Sequence, residues 1–281
     1  MGDPDWVEAA LCSATDDVDG PVTCDYSGYV DKSIAGSYII TYTAIDSSNN
    51  ETVIAVTHTV IDESNPGGGI ILTEYYATVD GLTGQALVLE LRSIINTGLT
   101  RVTYGDTRYI LDETDADPNN SSNLILLYLG TSVSGVWDLG VTWNREHVWP
   151  QSLLGVPADN DTKNAASDLH NLKPADPSTN SSRGNKFYDV ATDTDSYLPR
   201  AEVRGDIARI LLYMTVMYEI YTLVNTTPTV YQMAMLDVLL QWNLDDPVDD
   251  FERNRNEVIF TYQHNRNPFI DYPEFVPLIW N

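Results

Sequence analysis

Two β-branched runs near the N-terminus alternate between apolar and polar positions. The runs "GSYIITYTAID" and "ETVIAVTHTVI" repeat with a period of about two residues, and the polar stretch "SSNN" connects them. Alternation places apolar side chains on one face of a strand, and a short polar connection favours a hairpin. The pattern therefore predicts a hairpin within a small all-β module, in which His58 has a structural role.

The alternating pattern stops at "DESNPGGGI", where an Asn-Pro pair and three glycines follow in succession. Such clusters mark turns and linkers. Beyond this point, the sequence contains both long helical patterns and short apolar runs. We therefore predict the all-β module over residues 1–64, a glycine-rich linker over residues 65–71 and a second domain over residues 72–281.

The second domain contains both helical and strand patterns. Residues 83–98 carry apolar side chains at helical spacing, and residues 123–130 form a short apolar run typical of a buried strand. Residues 203–224 and 229–242 predict two apolar helices. A last helix begins within "DDPVDDFERNRNEVIFTYQ", capped by an aspartate. The fold class expected is therefore mixed α/β (α+β).

The most apolar stretch of the chain covers residues 207–224. It contains Arg209 and Glu219, and charged residues within such a short segment favour a buried helix over a membrane span. We therefore expect no membrane partner, and we expect a monomer.

The charge of the chain argues against a polyanionic partner. Its 281 residues include 41 acidic and 15 basic side chains, for a formal net charge of −26. Such a charge repels polyanions at low ionic strength. A nucleic-acid partner would therefore require a specific signal elsewhere in the sequence.

Cys12 and Cys24 are the two cysteines of the chain. They either form a disulfide in an oxidising compartment or remain two reduced thiols. The residues between them are polar and typical of a loop, which favours the disulfide.

The segment "NREHVWPQSLLG" places His147 directly after Glu146. The pair could be buried packing, with Glu146 in a salt bridge to Arg145 or Lys173, or it could be half of a metal site or a catalytic base. Two further polar segments follow, "SDLHNLKPAD" and "NSSRGNKFYD". Together the three predict strand, loop, strand and short helix, a small unit that presents several polar groups at one point.

These residue types match the needs of phosphodiester hydrolysis. A neutral imidazole can take a proton from the attacking water at neutral pH. A hard divalent cation on oxygen ligands can offset the negative charge of the phosphate. His147 can therefore act as the general base, and Glu146 with the neutral amide of Asn185 can hold the cation. For Asn185 the alternative is a helix cap, and Asn180 could take its place as the ligand.

Four blocks of the sequence resemble the bacterial endonuclease I family, which comprises secreted or periplasmic nucleases of the His-Me finger (ββα-metal) superfamily. They are "NREHVWPQS", "SDLHNLKPADPSTNSSRGNKFYD", "RGDIARILLYM" and "NRNPFIDYPEFV", and they keep the family order. The resemblance covers residues 72–281. It implies a central ββα unit, the same base and ligand residues, Mg²⁺ replaceable by Mn²⁺ or Ca²⁺, and products with 5′-phosphate and 3′-hydroxyl ends.

The N-terminal residues resemble the immunoglobulin-like repeats of bacterial surface and secreted proteins. The first strand of that family is missing, so the module is expected to be truncated. Such modules serve as spacers or adhesive units, and we assign this one no chemistry.

Relatives in the endonuclease I family hold the cleaved phosphate with an arginine between the first two blocks. Residues 148–169 contain only Lys163 as a basic side chain. The candidates for phosphate contact are Arg183, Arg200, Arg204 and Lys163. The candidates for a supporting role beside the site are His170, Arg145 and Asn180, and for His170 a packed structural position is at least as well supported.

The sequence therefore predicts a secreted, divalent-metal-dependent and largely nonspecific endonuclease that cleaves DNA and also RNA. Because the chain is so acidic, we expect its activity to tolerate salt. The alternative is a non-catalytic secreted adhesion or matrix protein on an inactive nuclease fold. The intact set of Glu146, His147 and Asn185 argues against that alternative.

Overall fold

The computed structural model of the protein describes residues 13–16, 19–28, 30, 36–60 and 72–280. The chain divides into two units, Met1–Gly81 and Leu82–Asn281. The described strands of the first unit form an antiparallel sheet in the order β1-β2-β3-β4. They are β1 Ala14–Asp16, β2 Gly20–Ser27, β3 Gly36–Ile45 and β4 Glu51–Val60.

The connection between β3 and β4 is a tight turn closed by one carboxylate. Oδ1 of Asp46 accepts hydrogen bonds from the backbone N–H groups of Ser48 at 2.8 Å and Asn50 at 2.7 Å. Asn49 adopts a left-handed φ of 69°, which asparagine tolerates better than most residues. The predicted hairpin is thereby confirmed. The side chain of His58 is outside the described part of the chain, so its role stays a prediction.

Cys24 lies on β2 and is disulfide-bonded. Cys12 lies outside the described residues, so its pairing with Cys24 stays a prediction. The resemblance of this unit to an immunoglobulin-like module likewise stays a prediction.

The second unit mixes short strands with helices, which confirms the predicted fold class at this level. Its strands are β5 Ala116–Asp117, β6 Asn120–Ile125, β7 Ser132–Ser134, β8 Asn144–His147, β9 Leu172–Ala175, β10 Phe187–Tyr188, β11 Ser196–Tyr197, β12 Thr222–Val224 and β13 Gln232–Ala234. Its helices are α1 Gly84–Asn96, α2 Leu111–Thr114, α3 Gln151–Leu154, α4 Pro177–Arg183, α5 Arg204–Met217, α6 Leu236–Asp245, α7 Asp250–Gln263, α8 Pro268–Asp271 and α9 Phe275–Ile279. Within the described residues, no helix combines the length and apolar character needed to cross a membrane.

Two predicted helices form close to their predicted positions. In α1, Leu87, Leu91 and Ile95 are buried along one face. The N-cap of α7 is Asp249, whose side chain accepts a 2.8 Å hydrogen bond from the backbone N–H of Glu252. This bond satisfies a donor that the first turn of a helix leaves free.

Three apolar runs differ from their predictions. Residues 203–224 form α5 only as far as Met217 and then continue into β12, while residues 229–242 begin with β13 before α6. The run 123–130 leaves β6 after Ile125 and turns at Gly130, which has a φ of 66°. Buried strands and buried helices both give continuous apolar runs, so periodicity alone cannot separate them.

Buried contacts hold the paired strands β8 and β9 in place. Trp143 and Leu172 belong to a core cluster with Leu111, Leu124 and Leu126. Lys173 of β9 forms a 2.8 Å ion pair with the buried Asp115. The position of β8 is therefore fixed by the interior of the unit.

Candidate active site

The strand–loop–strand–helix unit predicted from the sequence is present as β8, β9 and α4. Strands β8 and β9 are antiparallel, with Glu146 opposite Lys173 and His147 opposite Leu172. Helix α4 follows β9 directly, with the side chain of Asp176 capping its first turn through Thr179. His147, the predicted base, and Glu146, a predicted metal ligand, therefore lie at the end of a strand that contacts α4.

Glu146 occupies a buried polar pocket. Its side chain is 2% exposed, and its Oε1 accepts hydrogen bonds from the hydroxyl of Tyr128 and from Nη1 of Arg183. Burial raises the pKa of Glu146, and the charge of Arg183 only partly opposes this effect. Because Oε1 is occupied, Oε2 is the oxygen that neither Tyr128 nor Arg183 uses.

The position of Arg183 contradicts its predicted role as a phosphate contact. Its side chain is fully buried, and the guanidinium bonds Glu146 at 2.8 Å, the carbonyl of His147 at 2.9 Å and that of Val148 at 2.8 Å. Its Cζ lies 4.6 Å from the centre of the Tyr188 ring. Arg183 thus fastens the end of α4 to β8 and has no access to a bound nucleic acid.

His147 is held in one tautomer by a backbone carbonyl. Its Nε2 lies 2.8 Å from the carbonyl oxygen of Ala166. A carbonyl oxygen can only accept, so Nε2 carries the hydrogen and Nδ1 of the neutral ring has a free lone pair. Burial lowers the pKa of His147 to about 4. The imidazole is therefore neutral near pH 7, with the lone pair of Nδ1 unprotonated.

The ring of Tyr104 connects His147 with Arg145. The two β8 residues are separated by one position, so their side chains leave the same face of the strand. The Tyr104 and His147 rings stack with centres 5.3 Å apart, and Cζ of Arg145 lies 3.6 Å from the centre of the Tyr104 ring. Arg145 also contacts the Trp137 ring at 5.5 Å. Arg145 therefore contacts the ring that stacks on His147, and its supporting role stays a prediction.

Asn185 lies just beyond α4. The residue that follows the helix, Gly184, has a φ of 59°, and the side chain of Asn185 is exposed. Two residues earlier, Arg183 fixes this end of the helix to β8. Asn180 instead donates a 2.7 Å hydrogen bond from Nδ2 to Oδ1 of Asn144, so its amide joins α4 to the start of β8.

Three of the predicted phosphate contacts remain at least partly accessible. Nε of Arg200 donates to the carbonyl of Leu127 at 2.9 Å, beside the tyrosine that bonds Glu146. Nε of Arg204 donates to Pro199 at 3.1 Å. Lys163 is exposed, and the preceding residue, Thr162, accepts a 2.9 Å bond from the backbone N–H of Tyr104.

His170 is part of the interior. It is 0% exposed, and its ring centre lies 4.5 Å from that of Tyr213 on α5. Burial lowers the pKa of His170 to about 4. Among the described residues, no hydrogen bond or ring contact joins it directly to Glu146 or His147. The geometry thus supports the packed position that the sequence left open.

Comparison with known proteins identifies the family. The sequence profile described as endonuclease I matches residues 83–197 and 194–274, more than half of the chain. The chain belongs to the endonuclease I family. It is 42% identical over 229 residues to an extracellular ribonuclease of Bacillus subtilis (strain 168), covering 73% of this chain and 78% of that protein. A protein of the same name from Bacillus amyloliquefaciens is 42% identical over 231 residues, with the same coverage.

As a member of the endonuclease I family, the protein is a nucleic-acid phosphodiester hydrolase. The matched segments contain β8, β9 and α4 together with every residue described at the site. The four-stranded sheet of the first unit lies outside them.

Several residues of this endonuclease I site could not be identified from the sequence. Tyr128, Tyr188 and Tyr104 are ordinary core aromatics in the sequence, and Ala166 contributes only its backbone. Tyr128 comes 18 residues before its partner Glu146, and no local pattern indicates that contact. The sequence offers one signal for Tyr128. It lies in the apolar run "LLYLG", which is too short for a helix and places a tyrosine hydroxyl among aliphatic side chains.

Proposed function

We propose that the protein is a secreted endonuclease of the His-Me finger (ββα-metal) type. It hydrolyses the phosphodiester bonds of DNA and RNA with little sequence specificity and leaves 5′-phosphate and 3′-hydroxyl ends. The hydrogen bond from His147 to the Ala166 carbonyl carries this proposal, because it leaves Nδ1 free to accept a proton. The next residue toward the N-terminus, Glu146, supplies a buried carboxylate beside this base.

In this proposal His147 is the general base. Its Nδ1 takes the proton from the water that attacks phosphorus, while Ala166 and Tyr104 keep the ring in position. A pKa near 4 keeps the imidazole neutral at physiological pH, so the base needs no prior deprotonation. General-base catalysis of this kind contributes about 10² to 10⁴ in rate.

Glu146 and Asn185 would hold a divalent cation, with Mg²⁺ preferred and Mn²⁺ or Ca²⁺ as substitutes. A carboxylate and an amide offer the hard oxygen ligands that these ions select. Burial raises the pKa of Glu146 even beside Arg183, so an additional positive charge would stabilise the ionised carboxylate. Such a cation would offset negative charge on the phosphate and on the leaving oxygen.

Among the described residues, no three His, Cys, Asp or Glu side chains are grouped to bind a metal. A cation at this site would therefore depend on Glu146, the Asn185 amide and water. Arg200, Arg204 and Lys163 would supply positive charge to the phosphates that flank the cleaved bond.

The location and the substrate are inferred from different observations. Both relatives described above are named extracellular, and a disulfide at Cys24 fits an oxidising compartment. Their names also specify RNA, whereas the family name specifies no sugar. A site that contacts the backbone acts on both polymers, since the phosphodiester is common to them.

The test is cleavage of supercoiled plasmid and of single-stranded RNA by the wild type, His147→Ala and Glu146→Gln. Reactions contain Mg²⁺, Mn²⁺, Ca²⁺ or EDTA, and Arg253→Ala, at a partly exposed side chain, serves as the matched control. We expect cleavage that needs a cation and His147 and that survives Arg253→Ala. End-labelling of the products with and without phosphatase identifies the 5′-phosphate.

Equal activity of His147→Ala and wild type would exclude this histidine as the base. Activity that persists in EDTA after dialysis would exclude the cation. Tight cation binding without cleavage of either polymer would instead support the non-catalytic alternative.

A further inference from the structure

The loop that leads into β8 exposes an unusual apolar surface. The three most exposed large apolar side chains of the described residues are Leu139 at 86%, Val141 at 77% and Val136 at 72%. All three lie within six consecutive residues, whereas isolated apolar side chains on a surface are ordinary. We call these three residues the apolar tip.

The apolar tip is unfavourable for the folded chain alone. Leu139 has a φ of 66°, a left-handed conformation that costs a residue with a Cβ free energy. Its side chain has little packing to offset that cost, because it lies almost wholly in solvent. A contact made only in a complex would account for both features.

The loop is nevertheless held in a defined shape. The carboxylate of Asp138 accepts hydrogen bonds from the backbone N–H of Val141 at 2.9 Å and from the backbone and hydroxyl of Thr142 at 2.9 Å and 2.6 Å. Trp137 packs against the core cluster and meets Trp143 edge to face at 5.0 Å. The tip is therefore presented on a fixed support, which lowers the entropy cost of binding.

A continuous series of contacts connects this loop with the catalytic base. Trp137 contacts the guanidinium of Arg145, Arg145 contacts the ring of Tyr104, and Tyr104 stacks on His147. None of these three centre-to-centre distances exceeds 5.5 Å. Trp137, which lies in the sequence between two residues of the apolar tip, is therefore three side-chain contacts from His147. We place the nucleotides next to the cleaved phosphate along this path in the proposal below.

We propose that Val136, Leu139 and Val141 contact the bases of single-stranded nucleic acid bound at the active site. Base faces are available to side chains only where the strand is unstacked, as in single-stranded RNA or DNA. The surface would thus favour single strands over duplexes. This inference rests on the proposed nuclease function.

The apolar tip carries no group that would bind a phosphate. Residues 132–143 contain no Lys or Arg, and their one charged side chain is Asp138, so the tip offers nothing to a phosphate. Apolar contact with bases would add binding free energy to the few phosphate contacts of Arg200, Arg204 and Lys163.

The test compares a tip variant with a matched control. The tip variant combines Val136→Ser, Leu139→Asn and Val141→Ser, because asparagine tolerates the left-handed position. The control combines Leu89→Gln, Ile220→Thr and Leu244→Gln, at sites 53%, 56% and 67% exposed. Steady-state cleavage is measured on a single-stranded oligonucleotide and on the same sequence in a duplex, and binding of the single strand is measured by fluorescence anisotropy.

For the tip variant we expect KM and Kd on the single strand to rise about tenfold, with kcat and the duplex KM unchanged. The control should match the wild type. An equal rise on both substrates, or no rise on either, overturns the inference. If wild type cleaves nothing, the proposed function fails, and anisotropy alone still decides whether the tip binds single strands. Loss of sedimentation with phosphatidylglycerol vesicles, without any change in oligonucleotide binding, would assign the tip to a membrane instead.

Discussion

Arg183 at the end of α4 and Glu146 of β8 form an ion pair of 2.8 Å in which both side chains are almost completely buried. The same guanidinium bonds the carbonyl oxygens of the two residues after Glu146. One side chain therefore sets the distance between the strand that carries the base and the helix that precedes Asn185.

Replacement of Arg183 by methionine should destabilise the catalytic unit by about 3–5 kcal/mol, because it leaves the Glu146 carboxylate buried without its partner. The free energy of unfolding, measured with urea, checks this value. Arg253→Ala removes an exposed pair with Asp250 and should change it by less than about 1 kcal/mol. Equal stability of Arg183→Met and wild type would show that the pair contributes nothing.

Tyr104 should affect the rate of catalysis through the orientation of His147. Removal of its ring in Tyr104→Ala should lower kcat about tenfold or more with little change in KM, because small misplacement of a catalytic group is costly. Tyr104→Phe keeps the stacked ring and should retain near wild-type kcat. A comparable loss in both variants would assign the effect to the hydroxyl and contradict a positioning role.

Much of the site could be predicted from the sequence because its signals are local. The order of β8, β9 and α4 follows from three polar segments that succeed one another along the chain, and the aspartate cap of α7 is a typical helix start. The base and its neighbouring carboxylate are consecutive residues, and their chemistry is recognisable without coordinates.

The rest depends on contacts between distant parts of the chain. The burial of Arg183 could not be predicted, because arginine side chains are normally exposed. Its carboxylate and carbonyl partners explain the burial, and they are known only from the structure. The apolar run at residues 229–235 contains the buried strand β13, which pairs with β12 in parallel. Strand pairing of this kind depends on tertiary contacts, which the hydrophobic pattern of one segment does not predict.

Acid should destabilise the protein partly through His170. Burial lowers its pKa to about 4, although the nearby Asp168 and Asp271 favour the charged ring and Arg255 opposes it. In the unfolded chain a histidine has a pKa of about 6.5. Between these two values the unfolded state binds a proton that the folded state does not, so stability falls as the pH falls through this window.

The variant His170→Gln removes this titration. The stability that wild type loses between pH 7 and pH 4 should exceed the loss in the variant by up to roughly 3 kcal/mol. Urea unfolding at a series of pH values measures both losses. Identical pH dependence of the two proteins would mean that His170 is not held neutral by burial.

Salt should first increase and then decrease the activity. Residues 72–281 contain 29 acidic and 14 basic side chains, so long-range repulsion opposes the approach of a polyanion. The Debye length shortens from about 30 Å at 0.01 M to about 8 Å at physiological ionic strength, which screens this repulsion. At higher salt, the few contacts of Arg200, Arg204 and Lys163 with phosphate weaken in their turn.

The rise should appear in kcat/KM and not in kcat, because screening acts on association and leaves the bound complex unchanged. Initial rates on single-stranded RNA, taken from about 25 mM NaCl upward at constant free Mg²⁺, separate the two parameters. Potassium chloride of equal ionic strength should give the same curve, since screening depends on charge and concentration and not on the particular ion. A steady decline of kcat/KM from the lowest salt would show that local phosphate contacts outweigh the charge of the whole unit.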